Sequence, residues 1–125
     1  TTLNGAAVKA RPCPDLAGAW LYATAPEMFS GPDAAAFERL KGRCRGVVYG
    51  ADCYAYGLLA NGTVDLVCEA STKPYDYCAL VPVVRGAGGV ISDWAGEPLG
   101  LASDGRVLAA GDPAAHAAAL QILAG

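Results

Sequence analysis

The sequence predicts an α/β fold, a layered sheet flanked by helices, on three observations. Apolar runs of strand length, such as Gly46–Tyr49 (GVVY) and Arg106–Ala110 (RVLAA), alternate with helical stretches from residue 45 onward. Gly, Pro, Asn and Asp punctuate the joins between them. Hydrophobic residues fill 54% of the 125 positions and charged residues 17%, which suits a buried core and is too apolar for a disordered segment. The length fits one α/β domain over residues 1–125, with no repeat and no internal boundary in the pattern.

Taken in order, Asn4-Gly5 marks a hairpin between arms Thr1–Leu3 and Ala6–Ala10. Arg11–Asp15 is a loop, and Ala19–Ala23 (AWLYA) is a strand. Gly31-Pro32-Asp33 opens a helix over about Asp33–Lys41, with Pro and Asp in its first turn. Ala36, Phe37 and Leu40 share one face of it. From residue 45 the expected order is βαβαβ. Strand Gly46–Tyr49 turns at Gly50-Ala51-Asp52 into a helix over Cys53–Ala60, with Asp52 as its N-cap. Asn61-Gly62 ends that helix, and strand Thr63–Cys68 (TVDLVC) follows. After the polar loop Glu69–Pro74, one helix runs from Tyr75-Asp76 to about Arg85. Gly86, Gly88 and Gly89 lead into strand Val90–Ser92, a long loop, strand Arg106–Ala110 and a last Ala-rich helix ending near Leu123.

Several function classes are disfavoured. Net charge is −3, and the densest basic stretch (Arg39, Lys41, Arg43, Arg45) reads as a helix C-terminus that favours cations. No nucleic-acid partner is expected. No apolar run reaches the roughly 18–20 residues of a membrane span. No basic segment followed by an apolar stretch opens the chain. The expected setting is the cytoplasm, away from membranes. The five cysteines, Cys13, Cys44, Cys53, Cys68 and Cys78, form no CxxC pair, and His116 is the one histidine, so a zinc set is not expected and reduced thiols are. Asn61-Gly62-Thr63 matches a glycosylation sequon but reads more simply as a turn.

Three acidic residues fall at strand-to-helix junctions: Asp52, Glu69 and Asp76. In α/β sheets ligands bind beyond the carboxyl ends of the strands, so all three are expected to face one crevice. Converging carboxylates suit a hard cation such as Mg²⁺. They equally suit an amine or polyhydroxy ligand, whose N–H and O–H groups they accept. Taken singly, Asp52 and Asp76 read first as helix caps. Glu69 resists that reading, because it ends an apolar strand with no cation near it in sequence. Gly86-Ala87-Gly88-Gly89 lacks the order of a phosphate loop and reads as a helix end turning into a strand. Tyr54, Tyr56, Tyr75 and Tyr77 flank the acidic positions as core or crevice wall, and His116 carries no assigned role.

The segment from Lys73-Pro74-Tyr75-Asp76 to Gly88-Gly89-Val90-Ile91-Ser92-Asp93 resembles the C-terminal signature of the inositol monophosphatase family, with Tyr75 where Trp is usual. Gly50-Ala51-Asp52 resembles that family's Gly-x-Ala turn, and Glu69 its substrate-binding Glu. The intervals, 19 residues from Gly50 to Glu69 and 7 from Glu69 to Asp76, fit the family pattern without gaps. The resemblance spans essentially the whole chain. The run Gly50–Ala60, with Glu69 and Lys73–Asp76, is most similar to the histidinol-phosphatase branch, since inositol-specific members usually carry a small residue where Asp52 stands.

The resemblance implies a fold, the C-terminal domain of an αβαβα architecture, and an activity, Mg²⁺-dependent phosphomonoester hydrolysis. It implies Gly50, Ala51, Asp52 and Glu69 as substrate-binding residues and Asp76 as a metal ligand. It further implies histidinol phosphate as substrate, with an inositol or sugar phosphate as the alternative, and a homodimeric full-length form. The family's other metal ligands, a Glu and an Asp-Pro-x-Asp-Gly-Thr motif, do not occur in these 125 residues. The chain is therefore expected to be the substrate-recognition half, lacking the N-terminal metal-binding half and inactive alone. A non-catalytic module for a small polyol or amine is the competing reading.

Overall fold

A computed structural model describes residues 1–125. Thr2–Leu3 (β1) and Ala6–Ala7 (β2) pair antiparallel across Asn4-Gly5. Both turn residues have positive φ, +52° and +84°, as a two-residue hairpin turn requires. There follow Trp20–Ala23 (β3), Pro32–Lys41 (α1), Gly46–Tyr49 (β4), Tyr54–Ala60 (α2), Leu66–Glu69 (β5), Pro74–Tyr77 (α3), Leu80–Gly86 (α4), Val90–Ser92 (β6), Val107–Ala110 (β7) and Pro113–Ala124 (α5). The fold is α/β, a five-stranded sheet flanked by helices, as expected.

The strands lie in the order β4-β3-β5-β7-β6. β3 pairs parallel with β4 and β5, whereas β7 pairs antiparallel with β5 and β6. The strands follow one another along the chain as expected, and the order within the sheet is set by the structure alone. β3 sits between β4 and β5, and β6 lies at the far edge. Periodicity marks each strand without marking its neighbour, and the fully buried strands β5 and β7 take central positions.

Side chains alternate across the sheet and separate two cores. Leu66 and Cys68 of β5 and Leu108 and Ala110 of β7 pack with Phe37 and Leu40 of α1 and Ala115, Ala119 and Leu123 of α5. Val67 of β5 and Val107 and Ala109 of β7 face Tyr56 and Leu59 of α2, Tyr77 of α3 and Val84 of α4. The same parity carries Glu69, two residues after Val67, to the α2 side of the sheet.

Three expectations are corrected. The single helix over 75–85 is two short ones, α3 and α4. Pro82 has no N–H to give the Cys78 carbonyl, so the turn cannot continue through that point. The strand expected at Thr63–Cys68 begins at Leu66 and reaches Glu69. Asn61 Oδ1 accepts from both the Thr63 amide, at 3.2 Å, and the Thr63 hydroxyl, at 2.6 Å, which folds that end into a turn. Asp52 is not an N-cap: Cys53 occupies that position, and no side chain caps α2.

A buried carboxylate locks the end of the sheet where β3 and β5 begin. Asp65, 2% exposed, accepts from Arg11 Nε at 2.6 Å, Arg11 Nη2 at 2.7 Å and the Trp20 amide at 2.8 Å. Burial by itself raises the pKa of this carboxyl, but the Arg11 and Trp20 bonds outweigh burial and hold it below the ordinary value.

Candidate functional site

Because β3, β4 and β5 run parallel, their carboxyl ends and the loops after them open on one side of the sheet. There the chain forms a cleft of about 390 Å³. Asp52 enters from the β4–α2 loop, Glu69 from the end of β5 and Asp76 from α3. The expectation that these three residues face one crevice is met. The lining contains no Lys, Arg or His, so the cleft presents negative charge and hydroxyl groups.

Each carboxylate is placed by a different device. Glu69 is buried, 5% exposed. Its Oε1 accepts a short hydrogen bond from the Thr24 hydroxyl, and its Oε2 accepts from the Tyr56 hydroxyl at 2.7 Å. No cation partners it. Burial, reinforced by the Glu69 charge, pushes the Tyr56 hydroxyl well above its ordinary pKa, so Tyr56 stays a proton-bearing donor. Burial also raises the Cys68 thiol, next to Glu69 in β5 but on the other face, which keeps it protonated and inert.

Asp52 is exposed and its backbone is left-handed, with φ +48°. Asp tolerates that region better than most residues, at some conformational cost. The two residues before it hold it there. Gly50, at φ +92°, donates its amide to the Thr24 carbonyl at 2.9 Å. Ala51 packs against the Tyr56 side of the core and accepts from the Tyr54 amide at 3.0 Å. Gly50 and Ala51 do not line the cleft themselves; they set the turn that delivers Asp52.

Asp76, also exposed, stands at the third position of α3, where its Oδ2 accepts from the Lys73 amide at 2.7 Å. That bond satisfies an otherwise free amide at the helix start, and Oδ1 takes no hydrogen bond. The capping reading of Asp76 thus holds without exhausting the side chain.

Thr24, Ser71 and Thr72, which sequence reasoning passed over, and Tyr56, expected only as core or crevice wall, complete the site. Thr24 follows β3 directly, and the rule that singled out Glu69, a polar residue closing an apolar strand, also finds Thr24. Tyr56, in the first turn of α2, lines the cleft with Asp52 of the preceding loop. Ser71 and Thr72 lie between Glu69 and Asp76 and line the cleft. A second depression of about 450 Å³ lies beside Trp94. There Arg106 Nη2 meets Asp33 at 2.9 Å and Arg106 Nη1 meets Asp104 at 3.3 Å, while Arg39 and Asp93 bond to backbone groups.

No three His, Cys, Asp or Glu side chains come together as a metal-holding group. Asp76 fits a hard cation as one oxygen donor, and the remaining donors of any such site must come from outside these residues.

The sequence profile of the inositol monophosphatase family matches residues 1–124. The chain belongs to that family. It is 46% identical over 130 residues to the bifunctional phosphatase IMPL2, chloroplastic, of Arabidopsis thaliana, covering 98% of this chain and 38% of that protein. A histidinol-phosphatase of Chlorobaculum parvum is 34% identical over 65 residues, covering 51% of this chain and 25% of that protein. The fold superposes on an inositol monophosphatase from Zymomonas mobilis with a TM-score of 0.95 and 43% identity, over 98% of this chain and 48% of that one. The chain thus spans less than half the length of these family members. The family and these relatives are phosphatases that act on small phosphorylated substrates. No helix of the chain is long and apolar enough to cross a membrane.

Proposed function

We propose that this chain is the alcohol-recognition half of a Mg²⁺-dependent phosphomonoesterase that hydrolyses histidinol phosphate to histidinol and phosphate. The carrying observation is Glu69, a buried carboxylate held by two hydroxyls and no cation, in a cleft whose lining has no basic side chain. Such a cleft repels a phosphate and attracts an ammonium or imidazolium group. In this reading Glu69 and Asp52 accept from the cationic alcohol, Gly50 and Ala51 hold the turn that aims Asp52, and Asp76 lends one oxygen to a metal. Bound Mg²⁺ supplies positive charge for the phosphate and the leaving oxygen. The other metal ligands and the phosphate contacts belong to a further half outside residues 1–125, so the chain alone is inactive. The likeness to a histidinol-phosphatase and to a bifunctional phosphatase supports this substrate class. A homodimer of the two-half form is part of the proposal. So is a reducing compartment such as the cytoplasm, which suits five free cysteines.

A second reading, an inositol or sugar phosphate, is favoured by the 43% identity to the Zymomonas mobilis inositol monophosphatase and by the ability of the same carboxylates to accept from hydroxyls. Phosphate release from histidinol phosphate and from inositol monophosphate, with and without Mg²⁺, decides between them. It is measured on this chain and on a longer form that includes the other half. Mg²⁺-dependent release from histidinol phosphate by the longer form alone is expected. Release from inositol phosphate only would overturn the substrate assignment. Silence of the longer form on every phosphate ester leaves the non-catalytic binding module.

A further inference from the structure

Four large hydrophobic side chains of this chain are more than half exposed; of these Tyr75 (83%) lines the acidic cleft, and Tyr54 (69%) does not. The backbone that carries Tyr75 is held. Pro74 precedes it at the first position of α3 and fixes the backbone there. The Lys73 amide is held by Asp76 Oδ2 at 2.7 Å, the Asp76 amide by the Lys73 carbonyl at 2.8 Å and the Cys78 amide by the Pro74 carbonyl at 2.9 Å. An exposed aromatic face on the wall of a cleft with three carboxylates and no cation of its own is complementary to a cation with a flat or apolar body, drawn by the ring face and the carboxylates together.

We propose that Tyr75 is a ligand-contacting specificity residue, the platform on which the ammonium or imidazolium end of the ligand stacks, and that it selects cationic over neutral alcohols. This rests on the reading of the cleft as the pocket of a cationic alcohol. Glu69 and Asp52 supply charge to that pocket. Tyr75 supplies a face, which distinguishes an organic cation from a hydroxyl of equal reach.

The test is an NMR titration of the 125-residue chain with three probes: L-histidinol, tetramethylammonium and glycerol. The wild type is compared with Tyr75→Leu, Tyr75→Phe and Tyr54→Leu, each checked for an unchanged amide spectrum. Expected results are ring-current shifts and nuclear Overhauser contacts between either cation and the Tyr75 ring. Tyr75→Leu is expected to weaken both cations about two- to fivefold, the range of a cation–π contact at an exposed site. Tyr75→Phe, which keeps the face, and Tyr54→Leu, which removes an exposed ring outside the cleft, are expected to bind as wild type. Glycerol binding should be indifferent to all three changes. Equal cation binding by Tyr75→Leu and wild type overturns the platform and leaves the substrate assignment standing. Histidinol silent while tetramethylammonium still shifts the Tyr75 ring keeps the platform and removes histidinol. Both cations silent at Tyr75 overturns the platform, whatever ester the longer form hydrolyses.

Discussion

At the scale of single residues, the cleft depends on how charge is held without a counter-charge. Glu69 keeps its carboxylate buried by taking one hydroxyl on each oxygen, from Thr24 and Tyr56. Hydrogen bonds to a charged group contribute more than neutral ones, and they offset part of the desolvation. Glu69→Gln removes the charge and keeps the shape. It is expected to weaken L-histidinol binding about tenfold or more, the scale of a lost charge-assisted hydrogen bond, with the fold intact by circular dichroism. Unchanged affinity in that titration would remove Glu69 from recognition. Asp52 poses a different question, since a lost helix cap would cost about 1 kcal/mol and Asp52 caps nothing. Asp52→Asn keeps a residue type at ease in the left-handed backbone and deletes the charge. Stability should stay within about 0.5 kcal/mol of wild type, while the longer form's KM rises for an aminoalcohol phosphate and not for a polyol phosphate. Equal KM changes on both would return Asp52 to a purely structural role.

At the scale of elements, the loop that carries Ser71 and Thr72 and leads to Asp76 is clamped by a segment remote in sequence. The Gly105 carbonyl accepts from the Thr72 amide at 3.1 Å and from the Thr72 hydroxyl at 2.7 Å. Gly105 is buried with φ +90°, and a Cβ there would overlap the Thr72 carbonyl oxygen. Tyr77, which follows Asp76, donates its hydroxyl to the Gly100 carbonyl at 2.8 Å. Gly105→Ala is therefore expected to destabilise by more than about 1 kcal/mol and to loosen the cleft wall. Thermal unfolding reads the first effect and amide exchange at Thr72 the second. On the opposite face, His116 of α5 meets Ser92 of β6 through Nε2 at 2.9 Å, and both are buried. Burial lowers the His116 pKa, and a bond to the Leu108 backbone only partly offsets it. Protonation is thus harder in the folded chain, and between its lowered pKa and about 6.5 the unfolded chain binds more protons. The contribution is complete above about pH 6.5 and is lost as the pH falls through the lowered value. Wild type should lose more stability than His116→Gln between pH 7 and 5 in denaturant melts.

At the scale of the whole molecule, the two ends of the sheet do different work. The end holding Arg11, Trp20 and Asp65 is a structural lock. The other end leaves Asp52 and Asp76 exposed and Glu69 free of any cation. Asp65→Ala strands the Arg11 guanidinium and leaves the Trp20 amide without its partner. It should cost about 2–4 kcal/mol, read from urea unfolding, and Asp65→Asn should cost less because its oxygen still accepts from Trp20. A loss below about 0.5 kcal/mol for the alanine variant would deny the lock.

Most elements were legible in the sequence because their signals are local. Gly46–Tyr49 and Val90–Ser92 agree with the structure residue for residue, and Asn4-Gly5 makes the turn its residue types require. The three acidic positions were legible for the same reason, as acidic residues at strand-to-helix junctions. What was misread depended on interactions off the strand or helix pattern: the Asn61 side chain shortening β5, Pro82 dividing α3 from α4, and the left-handed backbone that takes Asp52 out of the cap.

The sequence by itself determined the element types, the apolar faces and the candidate carboxylates, since period, turn chemistry and residue type act over a few neighbours. Only the tertiary structure decided that β3 lies between β4 and β5, that Thr24 and Tyr56 serve Glu69, that Asp65 rather than Glu69 takes the arginine, and that Tyr75 is left open on the cleft wall. Those outcomes turn on which buried surfaces and hydrogen-bond partners meet across long stretches of chain, and sequence spacing does not record them.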